Sequence, residues 1–90
     1  MTTSLNDATA AELVTRLRRI EGQVRGLQHM IDRGDRCIDI LTQIAATRAA
    51  LTAVGRGVLR CEIRRAVDAG GSANESIADV LTAVDLLAGR

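Results

Sequence analysis

Hydrophobic positions recur at helical spacing through the first third of the chain. The spacing alternates between four and three residues, which is the heptad seam of a helix that packs against another helix. The seam consists of Leu13, Leu17, Ile20, Val24, Leu27 and Ile31. Thr9 with Glu12 fits a capping box at the start of this helix, and Gly34 fits its C-cap. The pattern predicts a first helix over residues 10–33.

A second and longer run follows, with no helix breaker before "GGSAN" at residues 70–74. Asp35 is placed to cap its start. The main apolar stripe is Ile40, Ile44, Leu51, Val54 and Val58. The run predicts a helix over residues 36–69, about 50 Å long at 1.5 Å per residue.

A short third helix is predicted over residues 74–88. Ser72 with Glu75 forms another capping box at its start. Its apolar side consists of Ile77, Val80, Leu81, Val84 and Leu87. The chain therefore has an all-α pattern of three helices with one long central helix.

The composition supports this fold class and indicates self-association. The 90 residues, with no Pro, Phe, Trp or Tyr, make one domain over residues 1–90 that is built from small aliphatic side chains. A chain of this size buries a modest core, and the second helix is too long for the first to cover. We expect the long helices to pair between chains, in a homodimer and then a homotetramer.

The sequence also predicts a cytoplasmic protein with no membrane contact. No uninterrupted apolar run approaches the roughly 20 residues of a membrane span, and the N-terminus has no signal-peptide pattern. Thiols stay reduced in the cytoplasm. The two cysteines therefore suggest chemistry or packing instead of a structural disulfide.

Basic charge is concentrated in two segments, although the net charge is only +1. All twelve basic residues are arginines, and "RLRRIEGQVR" and "RGVLRCEIRR" each hold four of them against one acid. A solvated helix face is the plain interpretation of such runs. Two arginine clusters in an otherwise acidic chain instead indicate a surface that binds an anionic partner, because the guanidinium group of arginine matches the geometry of phosphate oxygens.

Cys37 and Glu62 lie 25 residues apart in the long helix. At 100° per residue this spacing brings them within about 20° of the same face, yet nearly 40 Å apart along the axis. They can meet only across an antiparallel pair of helices, and a two-fold dimer would make two such sites.

The segments "RLRRIEGQVRGLQHMI" and "CIDILTQIAATRAAL" resemble the copper-sensing operon repressor (CsoR) family, with its nickel/cobalt-sensing RcnR and formaldehyde-sensing FrmR relatives. The resemblance covers about residues 13–67. It implies an all-helical fold, antiparallel dimers assembled into tetramers, and operator DNA bound without a helix-turn-helix. It also implies release of the DNA by a ligand at the dimer interface. The implied DNA contacts are Arg16, at a matching position, and then Arg18, Arg19, Arg25 and Arg56.

The family's copper site is not intact in this chain. It uses a Cys at the start of the second helix, a His 25 residues on and a Cys four further. Cys37 matches the first ligand, whereas Glu62 and Ala66 replace the other two. Cys61 lies one position off the stripe, and one interpretation is that it packs as a small apolar residue beside Val58. The other interpretation is that it approaches Cys37 of a partner chain, where a disulfide would require the two Cα atoms to lie within about 7 Å.

The sequence therefore predicts a DNA-binding repressor that senses a thiol-based or other non-copper signal through Cys37, Cys61 and Glu62. No cofactor is specified. An atypical metal site on Cys37, for copper, nickel, cobalt or zinc, stays open, since Zn²⁺ accepts mixed sulfur and oxygen ligands. A helical protein-interaction scaffold is the alternative from another class. An enzyme is not expected, because no nucleophile has an adjacent base, no glycine-rich phosphate loop occurs, and His29 is the one histidine.

Overall fold

Three helices follow one another along the chain. They are α1 (Asp7–Asp32), α2 (Cys37–Asp68) and α3 (Asn74–Ala88). The structure is a computed structural model that describes residues 7–68 and 74–89. The predicted all-α class and helix order are confirmed, and the bounds agree within three residues. The capping box at Thr9 is wrong, because α1 begins at Asp7 and Thr9 lies inside its first turn. The one predicted at Ser72 falls outside the described residues.

A Schellman turn ends α1 and reverses the chain. Gly34 has a positive φ of 73°, which an L side chain rarely adopts. Its N–H donates to the carbonyl of Ile31 at 3.1 Å, and the N–H of Asp35 donates to that of Met30 at 2.9 Å. The predicted cap at Gly34 is confirmed. The turn leaves α1 and α2 side by side as an antiparallel pair.

The start of α2 differs from the prediction by one residue. The carbonyl of Arg36 accepts the first helical hydrogen bond, from Ile40 N–H at 3.1 Å, so Arg36 and not Asp35 is the N-cap residue. The Asp35 carboxylate instead accepts two bonds from the Arg33 guanidinium, both at 2.9 Å. These hydrogen bonds are the main reason that the pKa of Asp35 lies below its usual range. The Asp35 carboxylate therefore binds Arg33 instead of capping the start of α2.

Helix α2 is the centre of the fold. α1 packs along it, α3 packs on its C-terminal half, and α1 and α3 share no contact within the described residues. The buried cluster is small and lies between α1 and α2. It contains Leu13, Ile20 and Val54, with Ala50 packed against them. Among its described residues the single chain thus buries few side chains, as its composition predicted.

Two glycines two positions apart allow both outer helices to reach the α2 backbone. A Cβ on Gly57 would lie 2.8 Å from Cδ2 of Leu13 in α1. A Cβ on Gly55 would lie 2.6 Å from Cδ1 of Leu87 in α3. Both distances are shorter than real Cβ contacts, so a side chain at either position would require the leucine methyl group to shift.

Much of the predicted apolar seam is uncovered in one chain. Leu13 and Ile20 are buried, but Leu17 and Ile31 are 37% and 61% exposed. On α2, the stripe residue Leu51 is 52% exposed. Exposed apolar rows of this kind mark surfaces that bind other proteins. The seam is therefore a surface on which another helix can pack.

By length and composition alone, α2 is also long and apolar enough to cross a membrane, which the sequence prediction did not anticipate. The core helix of a soluble protein passes the same test, so this property is weak evidence of a span. The helix also carries Asp39 and Arg48 in its apolar half. An interface between α2 and other helices accounts equally for its apolar composition.

Candidate functional site

The thiol of Cys37 lies at the first position of α2, on the surface. It is free and exposed. Its neighbours Ile38 and Leu41 are also exposed, at 60% and 54%. The cysteine that the sequence singled out is therefore accessible at one end of an uncovered apolar face.

Cys61 occupies a different environment near the other end of α2. Its free thiol is half-buried and lines a groove between α1 and α2. Twenty-four residues of helix separate it from Cys37, or about 36 Å. The two thiols of one chain cannot meet. Within residues 7–68 and 74–89, no three His, Cys, Asp or Glu side chains come together as metal ligands. One chain by itself forms neither a disulfide nor the mixed metal site that the sequence leaves open.

Glu62 faces α3 and is bound by an arginine. Its side chain is 22% exposed, and its Oε2 accepts a hydrogen bond from Arg65 Nε at 3.2 Å while its Oε1 accepts a shorter one from Nη2. These bonds, with a smaller contribution from the charge of Asp79 in α3, raise the pKa of Arg65. Both carboxylate oxygens of Glu62 thus already contact a cation.

Ala66 lies one turn beyond Glu62 and is buried, with 8% of its surface exposed. The family's third copper ligand would occupy this position. A methyl group offers no donor atom to a metal. The structure therefore places one carboxylate in an ion pair and one inert side chain where the family pattern has an imidazole and a thiol.

Four arginines line the groove that contains Cys61. Arg16 contributes from α1, and Arg56, Arg60 and Arg64 contribute from α2, around a volume of about 370 Å³. Arg16 and Arg56 are among the DNA contacts predicted from the sequence, whereas Arg60 and Arg64 are not. Their spacing of four residues is a signal for one helix face.

The other predicted DNA-binding residues are distributed along α1. Arg19 lies with Arg16 beside a neighbouring groove, and Arg25 lies farther along the helix. Arg18 is exposed. The structure thus brings together two of the five predicted arginines, Arg16 and Arg56, with a third adjacent to them.

The groove has an excess of positive charge. Among the described side chains Glu12 is the one acid that lines it, and Glu12 accepts a hydrogen bond from Arg16 at 3.0 Å. Both side chains are about half exposed, so this pair is weak. Across the parts of the chain that the structure describes, no ion pair involves Arg56, Arg60 or Arg64. Their guanidinium groups remain available to an anion.

Comparison with known proteins gives consistent results. The family described as "Metal-sensitive transcriptional repressor" matches residues 9–86. The copper-sensing transcriptional repressor RicR of Mycobacterium tuberculosis is 40% identical over 74 residues, which are 77% of each chain. The copper-sensing transcriptional repressor CsoR of Bacillus subtilis is 40% identical over 73 residues, covering 78% of this chain and 72% of that protein.

A solved structure gives the same result for the fold. The nickel-responsive transcriptional regulator InrS superposes with a TM-score of 0.74 at 33% sequence identity, covering 97% of this chain and 98% of that one. The family match spans nearly all of the three described helices, and the resemblance inferred from "RIEGQVRG" and "CIDILTQI" is confirmed. This chain belongs to the CsoR-like family of metal-sensitive transcriptional repressors, and it is a regulator of transcription and not an enzyme.

Proposed function

We propose that this repressor binds operator DNA as an oligomer and is released by a signal other than Cu(I) that acts on Cys37. One observation carries the proposal. Cys37 is accessible on an apolar face, while the family's two other ligand positions hold an ion-paired Glu62 and a buried Ala66. The thiol position is kept, and two of the family's three copper ligands are lost.

The chemistry of Glu62 argues against copper. Cu(I) prefers thiolate and imidazole ligands, whereas a carboxylate offers hard oxygen. The hydrogen bonds from Arg65 further reduce the ability of Glu62 to donate to a metal. RicR and CsoR are named as copper-sensing. This chain differs from the copper pattern at the two positions where sensing of Cu(I) needs soft ligands.

A thiol at an interface between chains provides the alternative signal. Electrophiles, persulfides and oxidants react with accessible cysteines. The added atoms would alter packing between helices, and the oligomer would transmit the change to the arginines that bind DNA. The second candidate is a metal other than Cu(I), held by Cys37 with Glu62 of a partner chain. InrS is described as nickel-responsive, and this similarity supports the second candidate.

Oligomerisation is the first expected result. The apolar residues exposed on α1 and α2 should be buried against another chain. The family resemblance supplies an antiparallel dimer and then a tetramer. Light scattering at micromolar concentration should give about four times the 9.6 kDa chain mass. A stable monomer would contradict the proposal.

DNA binding should depend on Arg16. Arg16→Ala removes a guanidinium from the groove and should weaken operator binding more than tenfold, or about 1.4 kcal/mol. The loss should shrink as salt rises, since phosphate contacts release counterions. Fluorescence anisotropy with an operator duplex at several salt concentrations measures both effects.

The matched control is Arg33→Ala, which removes an exposed arginine that pairs with Asp35 in the turn after α1. Its operator affinity should stay within about twofold of the parent, or about 0.4 kcal/mol. Equal losses from both variants would show a general charge effect instead of a contact. An operator bound no better than random duplex would contradict repression through this site.

A further inference from the structure

We propose that the groove between α1 and α2 binds DNA phosphates along its whole length. Arg60 and Arg64 would then extend the contact that starts at Arg16 and Arg56, and Cys61 would lie inside the DNA interface. The inference rests on the proposed DNA-binding function and identifies where on the molecule the backbone lies.

The three α2 arginines form one row. Arg56, Arg60 and Arg64 follow at intervals of four residues and all line the groove. The row spans about 12 Å of helix axis at 1.5 Å per residue. One DNA strand carries a charge about every 3.4 Å along its axis, so the row has the length of about three nucleotides. Arg16 faces the row from α1.

The structure separates this row from the neighbouring arginine. Arg65 follows Arg64 in sequence, but it binds Glu62 on the side of α2 that α3 covers. Arg60 and Arg64, by contrast, make no ion pair among the described residues. The cluster "RCEIRR" thus divides into one arginine that stabilises the chain and two that are left for an anion. A cleft lined with like charge concentrates an anionic partner.

Cys61 provides a probe inside the same groove. It is half-buried and lines the groove together with Arg60 and Arg64. A group attached to its sulfur would enter the space that the phosphates are proposed to occupy. A negative group should therefore oppose DNA binding more than a neutral group of equal size.

The first test measures the salt dependence of operator binding for Arg60→Ala and Arg64→Ala. Each variant should lower affinity and reduce the slope of log K against log salt by about 1, as expected for one lost phosphate contact. Arg33→Ala again serves as the control. If Arg16→Ala reduces the slope while Arg60→Ala and Arg64→Ala leave it unchanged, the extension is wrong and the proposed function stands. If the operator is bound no better than random duplex, the proposed function itself fails.

The second test compares two alkylating reagents on the Cys37→Ala variant, in which Cys61 is the remaining cysteine. The Cys61 thiolate attacks the CH₂ carbon of iodoacetate or iodoacetamide, a C–S bond forms, and iodide leaves after the thiol proton has passed to buffer. The products differ in charge but hardly in size. The carboxymethyl adduct should bind the operator at least tenfold more weakly than the carbamidomethyl adduct.

Protection from alkylation completes this test. Bound operator DNA should slow the reaction of Cys61 with iodoacetamide, while the reaction rate of the unfolded variant should not respond to DNA. Equal affinities of the two adducts, or an alkylation rate that DNA does not change, would overturn the placement of phosphates beside Cys61. This outcome does not depend on whether any arginine variant folds.

Discussion

The Cys37→Ala variant is expected to bind operator DNA as tightly as the parent and to stay bound when the inducing compound is added. The exposed thiol is the proposed point of reaction, and alanine keeps the first turn of α2 while it removes the sulfur. Allosteric coupling between sites typically changes affinity by about 5–150-fold. The parent should lose operator affinity within that range, and the variant should lose none. Anisotropy with a panel of persulfide donors, electrophiles, oxidants and metals measures the response.

Cys61→Ala is the matched control for the other thiol. If Cys61 of a partner chain resolves the reacted Cys37 as a disulfide, Cys61→Ala should keep the first reaction and block the crosslink on a non-reducing gel. If both cysteine variants release DNA like the parent, the thiols have no part in sensing. Tight Cu(I) binding that needs Cys37 and lowers operator affinity would contradict the non-copper proposal.

The double variant Glu62→His with Ala66→Cys is expected to gain a Cu(I) response. It restores the imidazole and thiolate of the family pattern opposite Cys37 and frees Arg65 from its carboxylate partner. Three soft or borderline ligands should bind Cu(I) at least a hundredfold more tightly than the parent does, or about 2.7 kcal/mol. Competition with a Cu(I) chelator measures the affinity, and operator anisotropy measures the coupling to DNA.

Two single changes separate the contributions to this gain. Glu62→Gln removes the charge that holds Arg65 without adding an imidazole, so it should not raise Cu(I) affinity. Ala66→Cys adds a sulfur to a buried position and risks overpacking of about 1–3 kcal/mol, which thermal unfolding detects. A double variant that remains a folded oligomer and binds Cu(I) no better than the parent would contradict the antiparallel pairing of Cys37 with positions 62 and 66.

The helices could be predicted because their signals are local. The heptad steps from Leu13 to Ile31 and the glycine in the turn at Gly34 specify α1 and its end with no other part of the chain. The caps at Thr9 and Asp35 failed for local reasons of another kind. α1 extends past one, and Arg33 binds the carboxylate of the other. Neighbouring donors compete with the helix N–H groups for the side chain of a capping residue. A sequence motif does not show which donor binds it.

The site was less accessible to sequence reasoning because it depends on what packs on each side of α2. Helical spacing showed that Cys61 and Glu62 point about 100° apart. It did not show that α1 covers the side of Cys61 or that α3 covers the side of Glu62. The division between the row Arg56, Arg60 and Arg64 and its neighbour Arg65 follows from that packing. The meeting of Cys37 with Glu62 requires a second chain, so it remains a prediction.

The glycine pair on α2 has a consequence for how this chain tolerates insertions and deletions. Leu13 of α1 packs at Gly57, and Leu87 of α3 packs at Gly55. Two residues of helix separate these contacts, so α1 and α3 are attached about 200° apart around the axis. Adding or removing one residue between them would change that angle by about 100°. Arg60, Arg64 and Glu62 all follow Gly57, so they would keep their directions relative to one another but turn by that angle relative to Gly55 and the part of α2 before it. The length of this two-residue step is thus as much a part of the fold as the identity of the side chains.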